Sequence, residues 1–192
     1  MKVASSKKAA VTVGALALVS ILISACVDSV GPILPDAQPE FGPRLKLQFY
    51  GLRNGFAREP EQANFTWNGA LYVHAGGGMK DFSGFSVHPF DNGDFIIQEV
   101  PAKRPRITEY GLLHKIADGA YLVVAIDEDD ADEPTRTAYC GKGDTANPSP
   151  CRIETREQLF AFVRATAARQ KTDGGLVLRL PDGSEKPERK KK

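Results

Sequence analysis

Cysteine and histidine are scarce, with three of each in 192 residues. No two histidines have the i, i+4 spacing of a helical metal site, and no cysteine pair is joined by further ligands at zinc spacing. A strong charge of one sign is missing too. Residues 26–183 hold 17 Lys and Arg against 22 Asp and Glu, a net of −5. Such a body lacks the basic face a nucleic-acid binder needs, so nucleic acid is not an expected partner. The uncharged amino-terminal run, Ala9 to Ile23, has 15 residues. That is short of the roughly 20 needed to cross a bilayer as a helix. No internal repeat is visible, which argues against a solenoid or propeller.

Several nucleotide, nucleophile and calcium motifs are approached and missed. Gly76-Gly77-Gly78-Met79-Lys80 lacks the spacing and the Ser or Thr of a phosphate loop. Gly84-Phe85-Ser86-Val87-His88 has His88 where a nucleophile elbow needs glycine. In Asp127-Glu128-Asp129-Asp130-Ala131-Asp132-Glu133, the carboxylates of Asp127, Asp129, Asp130 and Asp132 are weak candidates for Ca²⁺. An EF-hand loop starting at Asp127 would meet Ala131 at its fifth position and Asp132 at its sixth, where glycine belongs. An acidic solvated loop is the plainer reading. No cofactor is implied.

What is present begins with the amino terminus. Lys2, Lys7 and Lys8 form a positive start, with no acid before Asp28. The apolar run follows, ending in Ile23-Ser24-Ala25-Cys26. These features resemble the signal peptide and lipobox of bacterial lipoproteins. The resemblance covers only the first 26 residues. It implies that residues 1–25 are removed and that the Cys26 sulfur carries a diacylglyceryl group. Each buried methylene contributes about 0.8 kcal/mol, so two or three acyl chains hold firmly where one does not. The implied location is the bacterial cell envelope, with the membrane as partner through the anchor. Val27 stands where an inner-membrane retention signal often has Asp, so the outer membrane is favoured if the cell has two.

With Cys26 assigned to lipid, Cys140 and Cys151 are an even pair in an oxidising compartment, which favours a disulfide. The enclosed residues 141–150 are rich in Gly, Pro, Asn and Asp. Residues 26–43, with Pro32, Pro35, Pro39 and Pro43, resemble an extended tether that lifts the domain by up to roughly 50 Å. The alternative is that Ile33, Leu34 or Phe41 packs on the domain. Residues 44–183 form one globular domain, and residues 184–192 a basic tail, net +3, expected to be disordered.

Within the domain, Leu45, Leu47 and Phe49 alternate with polar residues as in a strand. Gly51 to Asn64 shows no clear element. Asn68-Gly69 between Phe65–Trp67 and Ala70–Val73 predicts a tight hairpin. Phe85 to Phe90 and Phe95 to Val100 predict a second hairpin with a longer loop, in which Pro89 marks an edge or a break. Ile107 to Ile116 reads as a strand. Ala120 to Ile126, apolar throughout, reads as one buried on both faces. Thr155 and Gln158 form a capping box before a helix over about 156–171. Leu176 to Leu180 closes the set. The predicted fold class is α+β, a mostly antiparallel sheet with one long carboxy-terminal helix packed on a face.

Two groups of residues are candidates for function. Trp67, Tyr72, Phe82 and Phe85, with His88, cluster in sequence around the glycine-rich loop, as an aromatic platform for a glycan or an envelope protein would. Core packing explains most aromatics in a domain of this size and is the plainer reading. His74 or His88, with Asp81 or Asp91 close in sequence, offers an acid–base site for a hydrolase. With no catalytic constellation complete, the expectation is a non-catalytic binding or assembly module. An envelope hydrolase and a structural envelope component are the alternatives.

Overall fold

The structure is a computed structural model that describes residues 27–53, 56–57, 61–76, 82–101, 106–126, 130–140, 151–167 and 176–179. Cys26, the acidic residues 127–129, the loop 141–150 and the tail 184–192 lie outside these residues.

The strands, in chain order, are β1 (Val27–Val30), β2 (Arg44–Arg53), β3 (Phe56–Ala57), β4 (Glu61–Trp67), β5 (Tyr72–His74), β6 (Phe82–Pro89), β7 (Phe95–Pro101), β8 (Ile107–Ala117), β9 (Ala120–Ala125), β10 (Cys151–Arg152) and β11 (Leu176–Arg179). Two helices, α1 (Glu133–Tyr139) and α2 (Arg156–Ala167), lie between β9 and β11. The pairing order β2-β4-β5-β6-β7-β8-β9-β11 returns to β2, because β9 pairs with both β8 and β11 and β11 pairs with β2. Every pairing in this ring is antiparallel. The fold is therefore a closed up-and-down barrel, in which closure removes the sheet edges. β1 adds to the upstream half of β8, beside Ile107–Glu109, and β10 pairs with β1 in parallel.

Alternation along the strands separates two cores. Inside the barrel lie Leu45, Leu47, Phe49, Phe65, Tyr72, Phe85, Val87, Ile97, Leu113, Tyr121 and Val123. Eight strands enclose a space about wide enough for side chains to fill. The neighbours of these residues along the strands, Ile96, Leu112, Leu122 and Val124, face outward into a second core. There they meet Val27, Leu34, Ile126, Ile153 and the α2 residues Leu159, Phe162 and Val163. Strands β7 and β9 and the upstream half of β8 are thus buried on both faces, which for β9 is what the apolar run from Ala120 predicts. Outward residues of β2 and β4, such as Lys46, Gln62 and Asn64, stay exposed.

The helix ends follow their capping chemistry. Gln158 N–H donates to Thr155 Oγ1 at 3.2 Å, and Gln158 Oε1 accepts from the backbone N–H of Thr155 at 3.2 Å. This is the reciprocal capping box the sequence indicates. The described helix runs Arg156–Ala167, twelve residues, so it is shorter than the span 156–171; residues 168–171 lie outside the described part. A second helix, α1, starts where only an acidic loop was expected. Asp132 is its cap, accepting from Thr135 N–H at 2.9 Å, and Pro134 suits a first turn that needs no donor. The Cys140–Cys151 disulfide joins the end of α1 to β10, with both cysteines buried in the outer core.

Three local expectations change. Residues 27–43 do not stand off as an extended tether. Val27 is fully buried, Leu34 is nearly so, and Ile33 and Phe41 pack against the outer and inner cores. The Gln98 side chain fixes this segment like an added strand. Its Oε1 accepts from Leu34 N–H at 3.0 Å and its Nε2 donates to Leu34 O at 3.4 Å. Four prolines leave few donors in this stretch, yet these apolar contacts and side-chain partners suffice to seat it. The region 51–64 is not featureless, because β2 runs on to Arg53, β3 folds back on it and β4 starts at Glu61. The Asn68-Gly69 hairpin turns through four residues, not two. Asn68 Oδ1 accepts from both Ala70 and Leu71 N–H, and this side-chain turn delays β5 to Tyr72.

Candidate functional site

Registration across the sheet brings distant residues into one line. Trp67 lies opposite Tyr72, Tyr72 opposite Phe85, Phe85 opposite Glu99, Glu99 opposite Glu109, and Glu109 opposite Asp28. Directly opposed residues of antiparallel strands share a face. Tyr72 and Phe85 belong to the inner core, so the row runs along the inside of the barrel, with Asp28 beyond its edge on β1. The rings of Trp67 and Tyr72 are 5.1 Å apart, those of Tyr72 and Phe85 5.4 Å, and those of Phe65 and Phe85 5.2 Å.

The two ends of the barrel differ. At one end, the chain leading into β2 closes the opening. Phe41 packs edge-on against Phe95 at 5.2 Å and lies 5.7 Å from Tyr121. Its N–H donates to Tyr72 Oη, which donates in turn to Gly42 O. At the other end lie the last residues of β5 and β7 and the first residues of β6 and β8. Glu99 and Glu109 sit near this second end, two positions from Ile97 and Gly111 on the inner face.

Both glutamates are buried, at 1% and 3% exposure. Among the described residues, neither Glu99 carboxylate oxygen has a hydrogen-bond partner. Burial pushes the Glu99 carboxyl up to about 8, and the neighbouring Glu109 charge adds to the shift. An unpartnered buried carboxyl is costly, and natural folds keep few of them. It is the most unusual polar group among the described residues.

The sequence-derived candidates divide. Trp67, Tyr72 and Phe85 come together in the inner row. Phe82 is on β6, paired with Pro101, and its side chain is outside the described set. His88 faces the outer core, away from this row. Its Nε2 lies 2.9 Å from Ser86 Oγ, which also accepts from Gln98 Nε2. Burial, and secondarily the Arg156 charge, hold the His88 imidazole down to about 4. This buried chain of polar groups runs from His88 to the Leu34 backbone, beneath the docked amino-terminal segment. Ser86 lies in the middle of a strand, not on a strand-to-helix elbow. His74 is on the inner face near the second end, and its Nδ1 accepts from Gly76 N–H at 3.2 Å. His74 and His88 are therefore on opposite faces of the barrel wall and do not form one acid–base site. Asp91 is held by Arg164 of α2 at 2.6 Å and 3.1 Å.

Of the calcium candidates, Asp132 serves as a helix cap, while Asp127 and Asp129 lie outside the described residues. Among the described residues, no group of three or more His, Cys, Asp and Glu is placed to hold a metal ion.

Glu99 and Glu109 were missed at the level of sequence. The available signal was polarity inside runs that are apolar at both parities: Gln98-Glu99 after Phe95-Ile96-Ile97, and Thr108-Glu109 before Tyr110.

The chain matches no family model, no curated protein and no solved structure.

Proposed function

We propose that this chain is a bacterial cell-envelope lipoprotein, anchored through Cys26, whose barrel serves as a non-catalytic binding or assembly module. The observation that supports this most directly is Val27. It is wholly buried and paired with Cys151, and the strand it starts is hydrogen-bonded to β8. A diacylglyceryl group on Cys26 is then one residue, about 3.5 Å of chain, from the sheet. Anchor and barrel form one unit seated at the bilayer surface. A domain that works at the membrane needs no spacer, and this one has folded its proline-rich segment into its own wall. The outer membrane is the favoured site in a cell with two membranes. The partner is a ligand or protein met at that surface.

An envelope hydrolase built on His88 or His74 gains no support from the geometry. The Ser86–His88 pair is within hydrogen-bond distance, but both side chains are buried under the amino-terminal segment.

Mass spectrometry of the mature amino-terminal peptide tests the anchor; an unmodified Cys26 sulfur overturns it. Insertion of a Gly-Ser linker of about twelve residues between Cys26 and Val27 adds roughly 20 Å of reach. A photo-crosslinker at exposed Ala138, two residues before the disulfide, should label lipid in the parent protein and lose most of that labelling with the linker. Equal labelling in both refutes the direct seating.

A further inference from the structure

We propose that Glu99 and Glu109, on the inner face of the barrel beside the Phe85 and Tyr72 rings, bind the ammonium group of a small organic amine. This deepens the binding-module reading by naming the ligand class. The site is more than an acidic pair, because Glu99 is 1% exposed and both its oxygens lack a hydrogen-bond partner among the described residues, on the face that carries the inner core. A buried acceptor of this kind calls for an explanation, and a donor arriving from outside the chain supplies one.

The chemistry around the pair selects the donor. Calcium wants six to eight oxygens. The next residues on this face are instead Phe85, directly opposite Glu99 on β6, and Tyr72 opposite Phe85. An ammonium suits this mixed wall. Its N–H groups meet carboxylate oxygens, and aromatic rings accept its remaining positive surface. Below the pair the interior is filled by Ile97, Val87 and Leu113, so the body of the amine extends away from them, toward the second end of the barrel. Among the described residues, the titratable groups on this side are Glu109 from β8, Asp28 from β1 and His74 from β5. Binding converts a neutral Glu99 into a carboxylate, and the proton it loses goes to solvent.

The full mature chain in a non-ionic detergent is titrated with hexylammonium by calorimetry, with hexanol, hexanoate and Ca²⁺ as comparison probes. Hexylammonium should bind at least tenfold more tightly than the other three. At pH 6.5, heats measured in two buffers of different ionisation enthalpy should show about one proton released per amine bound. Glu99→Gln should weaken binding at least tenfold and abolish the proton release, and Glu109→Gln should also weaken it; near-UV circular dichroism checks that both variants fold. Competition by vesicles containing phosphatidylethanolamine would identify a lipid headgroup as the source of the amine, and its absence a soluble amine; both keep the site. No binding of hexylammonium, equal binding of hexanol, preference for Ca²⁺, or unchanged affinity in a folded Glu99→Gln variant overturns the proposal. The titration contains no bilayer, so it succeeds or fails independently of the anchor on Cys26.

Discussion

Two buried groups shift in opposite directions and should leave a readable mark on stability against pH. Glu99 is raised from 4.5 to about 8, chiefly by burial and then by Glu109. Between those values the folded chain keeps a proton that the unfolded chain has lost, so stability falls as pH rises, by about 1.4 kcal/mol per unit. His88 is lowered from 6.5 to about 4, chiefly by burial and then by Arg156. Between those values the unfolded chain binds the extra proton, so stability rises with pH at the same slope. From about pH 4.5 to 6.5 the two effects oppose and nearly cancel. From 6.5 to 8 the Glu99 shift is no longer opposed by His88, and it should cost the wild type roughly 2 kcal/mol. The raised tyrosines Tyr72, Tyr110 and Tyr121 and the lowered Asp91 shift away from this window, not into it. Urea denaturation at pH 5, 6.5 and 8, followed by the single tryptophan, measures the profile. In Glu99→Gln the upper fall should vanish and a rise of roughly 2 kcal/mol from pH 5 to 6.5, due to His88, should emerge. Wild-type stability that is level or rising between pH 6.5 and 8, or a Gln variant that keeps the fall, refutes the assignment of Glu99 as a buried neutral acid.

Three further outcomes follow from the packing. Leu34→Ala should cost about 2–4 kcal/mol in chemical denaturation, since Leu34 is 4% exposed in the outer core; a cost near zero would mean the segment is a loose tether after all. Reducing Cys140–Cys151 should lower stability by about 3 kcal/mol, the chain-entropy value for a loop of this size, read as a shift in the urea midpoint with and without reductant. Gly84→Ala should cost more than about 1 kcal/mol, because Gly84 has φ +147° and an added Cβ would lie 2.8 Å from the Tyr72 carbonyl oxygen; an unchanged melting temperature would refute that contact.

Local signals in the sequence carried the elements better than their assembly. The capping box at Thr155 and Gln158, the strand from Ala120, the hairpin around Asp91–Gly93 and the final strand at Leu176 all depend on residues close in sequence, and all are found. Closure of the barrel depends on β11 pairing with β2 and β9, contacts between residues more than fifty positions apart that no window of sequence contains. The docking of segment 27–43 is not legible in the sequence for a related reason. Proline spacing describes how a chain behaves alone, and Leu34 is held by Gln98, a residue from another part of the chain. Helix α1 was hidden because its residues are mostly exposed and show no apolar stripe, while its start depends on one aspartate that looked like part of a charge run.

The same reasoning explains why half of the candidate site was legible. Trp67, Tyr72 and Phe85 drew notice as aromatics near a glycine-rich loop, and registration places them in one inner row. The glutamates drew none, because a carboxylate in a strand ordinarily marks the wet face. On β7 and β8 that inference fails, since Ile96 and Leu112 fill the outer core while Ile97 and Leu113 fill the inner one. With both faces dry, a charged residue at either parity must be buried. Glu99 and Glu109 then become informative through the burial of their neighbours. A strand pair apolar at both parities, interrupted by acids at opposed positions, is a pattern that hydrophobic packing alone would have replaced with two more aliphatic side chains. That burial without a hydrogen bond for Glu99 is the observation on which the proposed amine site rests.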